Sequence, residues 1–408
     1  MATPKLRFKE FHEDWPKTSF QNLFIFKNGI NASKEQYGSG TKFINVLDII
    51  NNPNGITYDS IIGSVQVSQK DIDKNLVNYG DVVFQRSSET REEVGQSNVY
   101  LSKEPVVFGG FVIRGSAQVP YDPLFMNGLL KTDKVRDQIT QLSGGSTRFN
   151  IGQDSLNKVS IFLPSKEEQT KIATFLSVVD EKISQLSQKL HLLGQYKQGM
   201  MHKLFSQQLR FKADDGSEFG DWEDKPLNEI ACKNTIKNKD GSITEVLTNS
   251  AIQGIIKQSD YFEREIVTES NLIGYYLVNV NDFVYNPRIS VHAPVGPIKR
   301  NKKCLGIMSP LYTVFTIKTG NLNYLEYFFD CDFWHDYVKS VANSGARHDR
   351  MNITNKDFFE MPILYPCLKE QTKIANFLSA IDQKIDVVSE QLEQAKLWKK
   401  GLLQQMFV

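Results

Sequence analysis

Two short polar loops hold the residues in this chain best suited to chemistry. SGGSTRFN, residues 143–150, presents Thr147, Arg148 and Asn150 after a glycine pair, and SGARHDRMN, residues 344–352, presents Arg347, His348, Arg350 and Asn352. Arg can give two parallel hydrogen bonds to guanine, and Asn can both donate to and accept from adenine, so these side chains suit the edges of bases. A third stretch, residues 284–303, holds Arg288, His292, Lys299, Arg300, Lys302 and Lys303 with no acidic residue, in a setting of Asn, Ser, Pro and Gly. Such a run can neutralise phosphates. The competing reading of any one loop is a solvated turn whose Arg pairs with a nearby carboxylate. The recurrence of Arg-x-Asn at Arg148/Asn150 and Arg350/Asn352 sets contact with DNA against that reading.

Catalytic patterns are missing. There is no H-E-x-x-H, no C-x-x-C and no ligand spacing among the six histidines, which disfavours zinc. No phosphate-binding G-x-x-x-x-G-K-[ST] occurs. VYNPR, residues 284–288, superficially resembles the Asn-Pro-Pro-aromatic motif of adenine methyltransferases but lacks the second Pro and the aromatic residue. Asp81, Glu89, Glu92 and Glu93 are better read as solvated charge than as a metal-nuclease cluster, since no acidic pair is followed at short spacing by a Lys. The expectation is a chain with no catalytic and no metal-binding residue.

The elements that must carry the loops follow from the whole sequence. Its 408 residues are enough for two to three domains. No run nears the ~18 apolar residues of a membrane span, and MATPKLRFKEFHEDWPK does not read as a secretory signal. A cytoplasmic protein with no membrane partner is expected, with Cys232, Cys304, Cys331 and Cys367 reduced. The formal charge of +1 makes no case by itself for a polyanion.

The chain is a duplication. KEEQTKIATFLSVVDEKI at 166–183 and LKEQTKIANFLSAIDQKI at 368–385 agree at 12 of 18 positions at a constant offset of 202, too many for chance. Upstream, GDVVFQR (80–86) matches NDFVYNPR (281–288), and KLRF (5–8) matches QLRF (208–211), each before a Trp. After the near-identical segments begin, apolar residues recur in steps of four and three from Ile172 to Leu204 and from Ile374 to Met406, interrupted only at Lys197 and Lys399. That is a heptad seam, and it predicts two long helices that pair with each other. A compact domain keeps its two ends close, so the second helix starts where the first stops and the pair runs antiparallel. The expected architecture is α+β: two globular heads joined by two long helices in an antiparallel coiled coil, with an internal pseudo-twofold repeat. The boundaries are 1–165 for the first head, 166–207 for the first helix, 208–367 for the second head and 368–408 for the second helix. Within the heads, DVVFQ, PVVFGGFVI, FINVLDII, DFVYN and LYTVFTI read as strands, and 122–142 and 321–342 as helices.

A [GN]-D-hydrophobic strand, an S-G-x-x-R-x-x-N type of loop, a Pro and then E-Q-T-K-I-A-x-F-L-S opening a long helix, all present twice, resemble the specificity subunit of a type I restriction-modification system. The resemblance covers nearly the whole chain. It implies that each head is a target recognition domain reading one half of a split, asymmetric DNA site. It implies that the helices set the gap and dock two methyltransferase subunits, with up to two restriction (translocase) subunits joining. S-adenosylmethionine, ATP and Mg would then belong to those partners, and this chain would need no cofactor. By motif, it places near DNA Thr147, Arg148 and Asn150, with Arg347, His348, Arg350 and Asn352. Gln85, Arg86 and Ser87 join them, as do Asn286, Arg288 and the nearby His292. SSETREEVG (87–95), with three Glu around Arg91, departs from the basic character expected of such a surface. A different class of protein stays open from residues alone: a coiled-coil adaptor whose heads bind peptides and not DNA.

Overall fold

The computed structural model describes residues 2–261, 272–343 and 349–408. The chain forms two compact units, Met1–Gln188 with Ser389–Val408, and Lys189–Val388.

Each unit is built on one four-stranded antiparallel sheet of the same order. In the first unit it runs Phe24–Asn28, Val112–Ala117, Val82–Gln85, Ser97–Val99, and in the second Ala231–Lys233, Thr313–Ile317, Phe283–Tyr285, Ile298–Arg300. The [GN]-D motif enters the inner strand in both. Gly80 (φ 88°) and Asn281 (φ 77°) take the left-handed conformation that Gly and Asn tolerate. The following Asp81 and Asp282 are buried and accept from the backbone N–H of Asn78 (2.9 Å) and Asn279 (2.8 Å). Burial raises the Asp81 carboxyl above its ordinary range, and Arg114 opposes the shift.

Two expected elements divide. FINVLDII is strand only to Ile44. Asn45 accepts from the backbone N–H of Leu47 and Asp48, and Asp48 reaches back to the Asn45 N–H, so a capping box starts a helix at Val46–Asn51. The helical stretches 122–142 and 321–342 each become two helices, Pro123–Leu129 with Asp133–Gln141 and Leu322–Asp330 with His335–Val341. Among the described residues no helix is long and apolar enough to cross a membrane, and all four cysteines are unpaired.

The long helices span Lys166–Phe205 and Leu368–Met406. Within each unit they pack antiparallel. In the first, Ile172, Leu176 and Val179 share a core with Leu402, Met406 and Phe407. In the second, Met201, Leu204 and Phe205 share one with Ile374, Leu378 and Ile381. Burying each such side chain contributes about 1.5–3 kcal/mol. The two lysines that break the heptads meet acids of the facing helix: Lys399 pairs with Asp180 in the first unit, and Lys197 with Asp382 at 2.6 Å in the second. The two breaks are one reciprocal device.

The near-identical helix starts have a physical explanation in what they hold. Glu168, 2% exposed, takes a bidentate pair from Arg7 (2.7 and 2.8 Å) and the indole N–H of Trp15 (3.2 Å). Glu370, fully buried, takes the same bonds from Arg210 (3.1 and 2.9 Å) and Trp222 (3.0 Å). These ion pairs raise both arginine pKa values. Gln169 donates to the Pro164 carbonyl and accepts from the Asp122 N–H, and Gln371 does so with Pro366 and Asn321. Each Glu-Gln pair therefore fastens the long helix to the N-terminal Arg and Trp of its unit and to the helix that follows the sheet.

Candidate nucleic-acid interface

The inner strand of each sheet leads directly into a short two-stranded ribbon that is partly buried at its base. In the first unit Ser87–Ser88 pairs antiparallel with Phe149–Asn150, Ser88 opposite Phe149 and Ser87 opposite Asn150. The Ile151 N–H donates to the Arg86 carbonyl (3.0 Å), and Gly144 and Asn150 exchange two backbone bonds (2.9 and 2.8 Å). The loop between them turns at Gly145, whose φ is 123° and where a Cβ would stand 2.1 Å from the Arg148 carbonyl oxygen, so only Gly fits. Thr147 and Arg148 are exposed at its tip. Asn150 is exposed but held: its Oδ1 accepts from Ser87 Oγ (2.5 Å) and its Nδ2 donates to the Arg148 carbonyl (3.1 Å). Gln85 lies inside the unit, 4% exposed, with its amide donating to the Ser87 carbonyl (2.9 Å). Arg86 is half-buried, and its guanidinium reaches the Gly110 carbonyl (3.4 Å). The acidic 87–95 segment folds onto the ribbon, where Glu93 accepts from Ser88 Oγ (2.8 Å) and Arg91 lies 5.2 Å from the Phe149 ring centroid.

The second unit repeats the ribbon with other side chains. Arg288 stands opposite Arg350, the Met351 N–H donates to the Pro287 carbonyl (2.8 Å) and the Ile289 N–H to the Asp349 carbonyl (2.9 Å). Asn286 shapes the approach, its Oδ1 accepting from the Arg288 N–H (3.0 Å) and its Nδ2 donating to the Asn249 carbonyl (3.0 Å). Asn352 is exposed, and its carbonyl accepts from the Asn343 N–H (2.9 Å). Arg347 and His348 lie outside the described residues. The pairing has slipped relative to the sequence repeat. Ser87 faces Asn150, but Arg288 faces Arg350, which the 202-residue offset aligns with Arg86 and Arg148, one and two residues away from the facing pair of the first unit.

Arg288, Arg350, Asn286 and the exposed His292 line one cleft of about 530 Å³, together with Thr248, Gln258 and Tyr312. Those last three, from a strand, a short helix and a turn elsewhere in the unit, carry no local motif that could have announced them. Burial raises the hydroxyl pKa of Tyr285 in the neighbouring strand, and it stays a neutral donor to the Val295 carbonyl (2.8 Å).

The basic stretch 284–303 is not a phosphate patch as a whole. Lys299 pairs with Asp330 (2.5 Å), Lys302 with Glu326 (2.6 Å), and Arg300 bonds Asn281 and Asn323 with Glu326 at 3.6 Å. Helix Leu322–Asp330 thus sets two carboxylates, Glu326 and Asp330, against three of the five lysines and arginines that the local sequence displays.

Comparison with known proteins places this geometry. The model of the type I restriction modification DNA specificity domain matches twice, over residues 12–193 and 220–397. A provisionally assigned type I restriction enzyme MjaX specificity subunit of Methanocaldococcus jannaschii is 27% identical over 98% of this chain and 94% of its own length. Among solved structures, the S subunit of a type I restriction-modification system from M. genitalium superposes with a TM-score of 0.53 at 17% identity, covering 100% of this chain and 99% of that one. A chain from a structure of type I R-M complex assembly and conformational transition gives 0.56 at 14% identity, with 97% of each covered. Two matched domains, one around each ribbon, account for most of the sequence, and this chain belongs to the type I restriction modification DNA specificity family.

Proposed function

We propose that this chain is the DNA-specificity subunit of a type I restriction-modification complex, each unit reading one half of a split, asymmetric duplex target through its ribbon. The observation that carries the reading is the joining, in both units, of two loops about 60 residues apart into one two-stranded ribbon bearing an exposed Asn or Arg. A two-stranded ribbon fits the major groove, roughly 12 Å wide, where each base pair shows a distinct pattern of donors and acceptors. Ser87, Thr147, Arg148 and Asn150 serve the first half-site, and Asn286, Arg288, His292, Arg350 and Asn352 the second. Gln85 and Arg86 hold the ribbon from behind.

Chemistry belongs to the partners. Two methyltransferase subunits bring S-adenosylmethionine, up to two restriction subunits bring ATP and Mg-dependent translocation and cleavage, and this chain acts in the cytoplasm without a catalytic residue of its own. The reading of a peptide-binding adaptor is disfavoured by the family to which both halves belong.

The test is expression of the chain with its methyltransferase partner, followed by mapping of methylated adenines. A bipartite motif is expected, and replacing residues 208–365 with the equivalent head of a relative should change one half of it. The purified chain alone should neither transfer methyl groups nor cut plasmid. Absence of any salt-dependent duplex binding by the complex would return the adaptor reading.

A further inference from the structure

We infer that the second unit reads guanine, and that Arg288 and Arg350 are the specificity-determining pair that does so; the inference rests on the DNA-reading role proposed above. The backbone bonds flanking the pair, from Met351 N–H to Pro287 and from Ile289 N–H to Asp349, make Arg288 and Arg350 a non-hydrogen-bonded pair of the ladder. In such pairs the Cα atoms approach to about 4.5 Å and the side chains leave on the same face. Ser87 and Asn150 hold the corresponding pair in the first unit, where a side-chain bond of 2.5 Å demonstrates the shared face.

Two like charges directly opposite on one face of a ladder destabilise it. The nearest relief is slight, Asp349 standing 3.9 Å from Arg350 Nε at a half-exposed position. Among the described residues, none of the others lining the cleft of Arg288 and Arg350 is acidic. The arrangement is therefore complementary to a cluster of acceptors. Guanine offers O6 and N7 side by side in the major groove, the best match for the planar fork of Arg. With the two Cα atoms about 4.5 Å apart and base pairs stacked 3.4 Å apart, the pair spans one base step. The half-site read by the second unit accordingly contains at least one required guanine, on either strand, within two adjacent base pairs. The first unit's pair is uncharged, and its Asn150 amide keeps one N–H and one lone pair unused, which suits adenine instead.

Phosphate binding by the same arginines is the other outcome, and a Lys substitution separates the two because it keeps the charge and loses the fork. The complex with its methyltransferase partner is titrated with duplexes of its own methylated motif, native or with 7-deazaguanine replacing guanine one position at a time. R288K and R350K are expected to lose roughly 5- to 150-fold of discrimination at one base pair each, both within the same half-site. The salt dependence should not change, and preference at the other half-site, which reports on folding, should be intact. Loss of N7 at those positions should weaken the wild type and leave the matching variant unaffected. Unchanged base preference in both Lys variants, or a second half-site with no required G·C pair, overturns the guanine reading while leaving bipartite recognition standing. A complex with no sequence preference in either half overturns the proposed function itself.

Discussion

The helix-anchoring cages of the two units match bond for bond, whereas the ribbons that grow from the same sheets do not. Glu168 with Arg7 and Trp15 repeats as Glu370 with Arg210 and Trp222, yet Ser87 opposite Asn150 becomes Arg288 opposite Arg350, a pair that the 202-residue offset does not align with it. The cages are buried, so any change there leaves an unpaired charge or an empty space. The ribbons are exposed at their tips, so side chains there can change without disturbing the fold. The duplication has kept what holds a head to its helix and varied what a head presents.

The sharpest way to break this comparison is to remove a cage. E168A and E370A each strip the partner from a half-buried Arg and should cost roughly 3–5 kcal/mol at most, seen as loss of one transition in urea unfolding while the other unit keeps its own. An equal loss in both units from either variant would show that the cages are not independent.

A smaller effect separates the two seam pairs. Asp382 receives Lys197 and also the Tyr327 hydroxyl (2.6 Å), while Asp180 sits by Lys399 and near Lys131, whose ammonium burial and Lys399 together push down to about 8. D382A and D180A should each cost about 1 kcal/mol near pH 7. A lysine with a lowered folded pKa destabilises the fold while it is charged. That penalty is complete below about pH 8 and fades as pH rises toward the ordinary 10.5. The D180A deficit should therefore shrink between pH 7 and 9.5 and the D382A deficit should not, as thermal unfolding at the two pH values would reveal.

The smallest effect belongs to the ribbons. N150A and R288A should shift stability by less than about 0.5 kcal/mol, in the same urea measurement, even where they alter DNA preference. A cage-sized loss from either would make the ribbon part of the fold and not a variable surface.

What could be read in the sequence divides along the same line. The long helices, their pairing and their direction were legible because a heptad stripe and an exact offset are local signals, and Lys197 and Lys399 stood out as breaks. Their partners Asp382 and Asp180 did not, since a facing helix supplies them. The two loops of each ribbon were legible as separate turns, but the pairing of Ser87 with Asn150 across 63 residues was not. The basic run at 284–303 overstated the free charge for a related reason, because Asp330 and Glu326, which pair with Lys299, Arg300 and Lys302, lie beyond the window in which the run was counted. Gln85 pointed inward because strand alternation decides its face, and residue type does not. FINVLDII hid a helix because a capping box needs its Asn and Asp read together.

The division into units carries a consequence for synthesis. The second unit is one continuous stretch, but the first is closed by Leu402, Met406 and Phe407, with Phe407 packed 5.1 Å from Phe125 between ring centroids. Translation delivers those residues only after all of the second unit. The first 188 residues thus leave the ribosome with the apolar faces of Phe125, Ile172 and Leu176 uncovered, and must wait through about 200 further residues, roughly 10–40 s at ordinary elongation rates. A nonsense codon near residue 390 would leave the second unit whole and the first without its closing helix turns. The half that is made first is the half that finishes last.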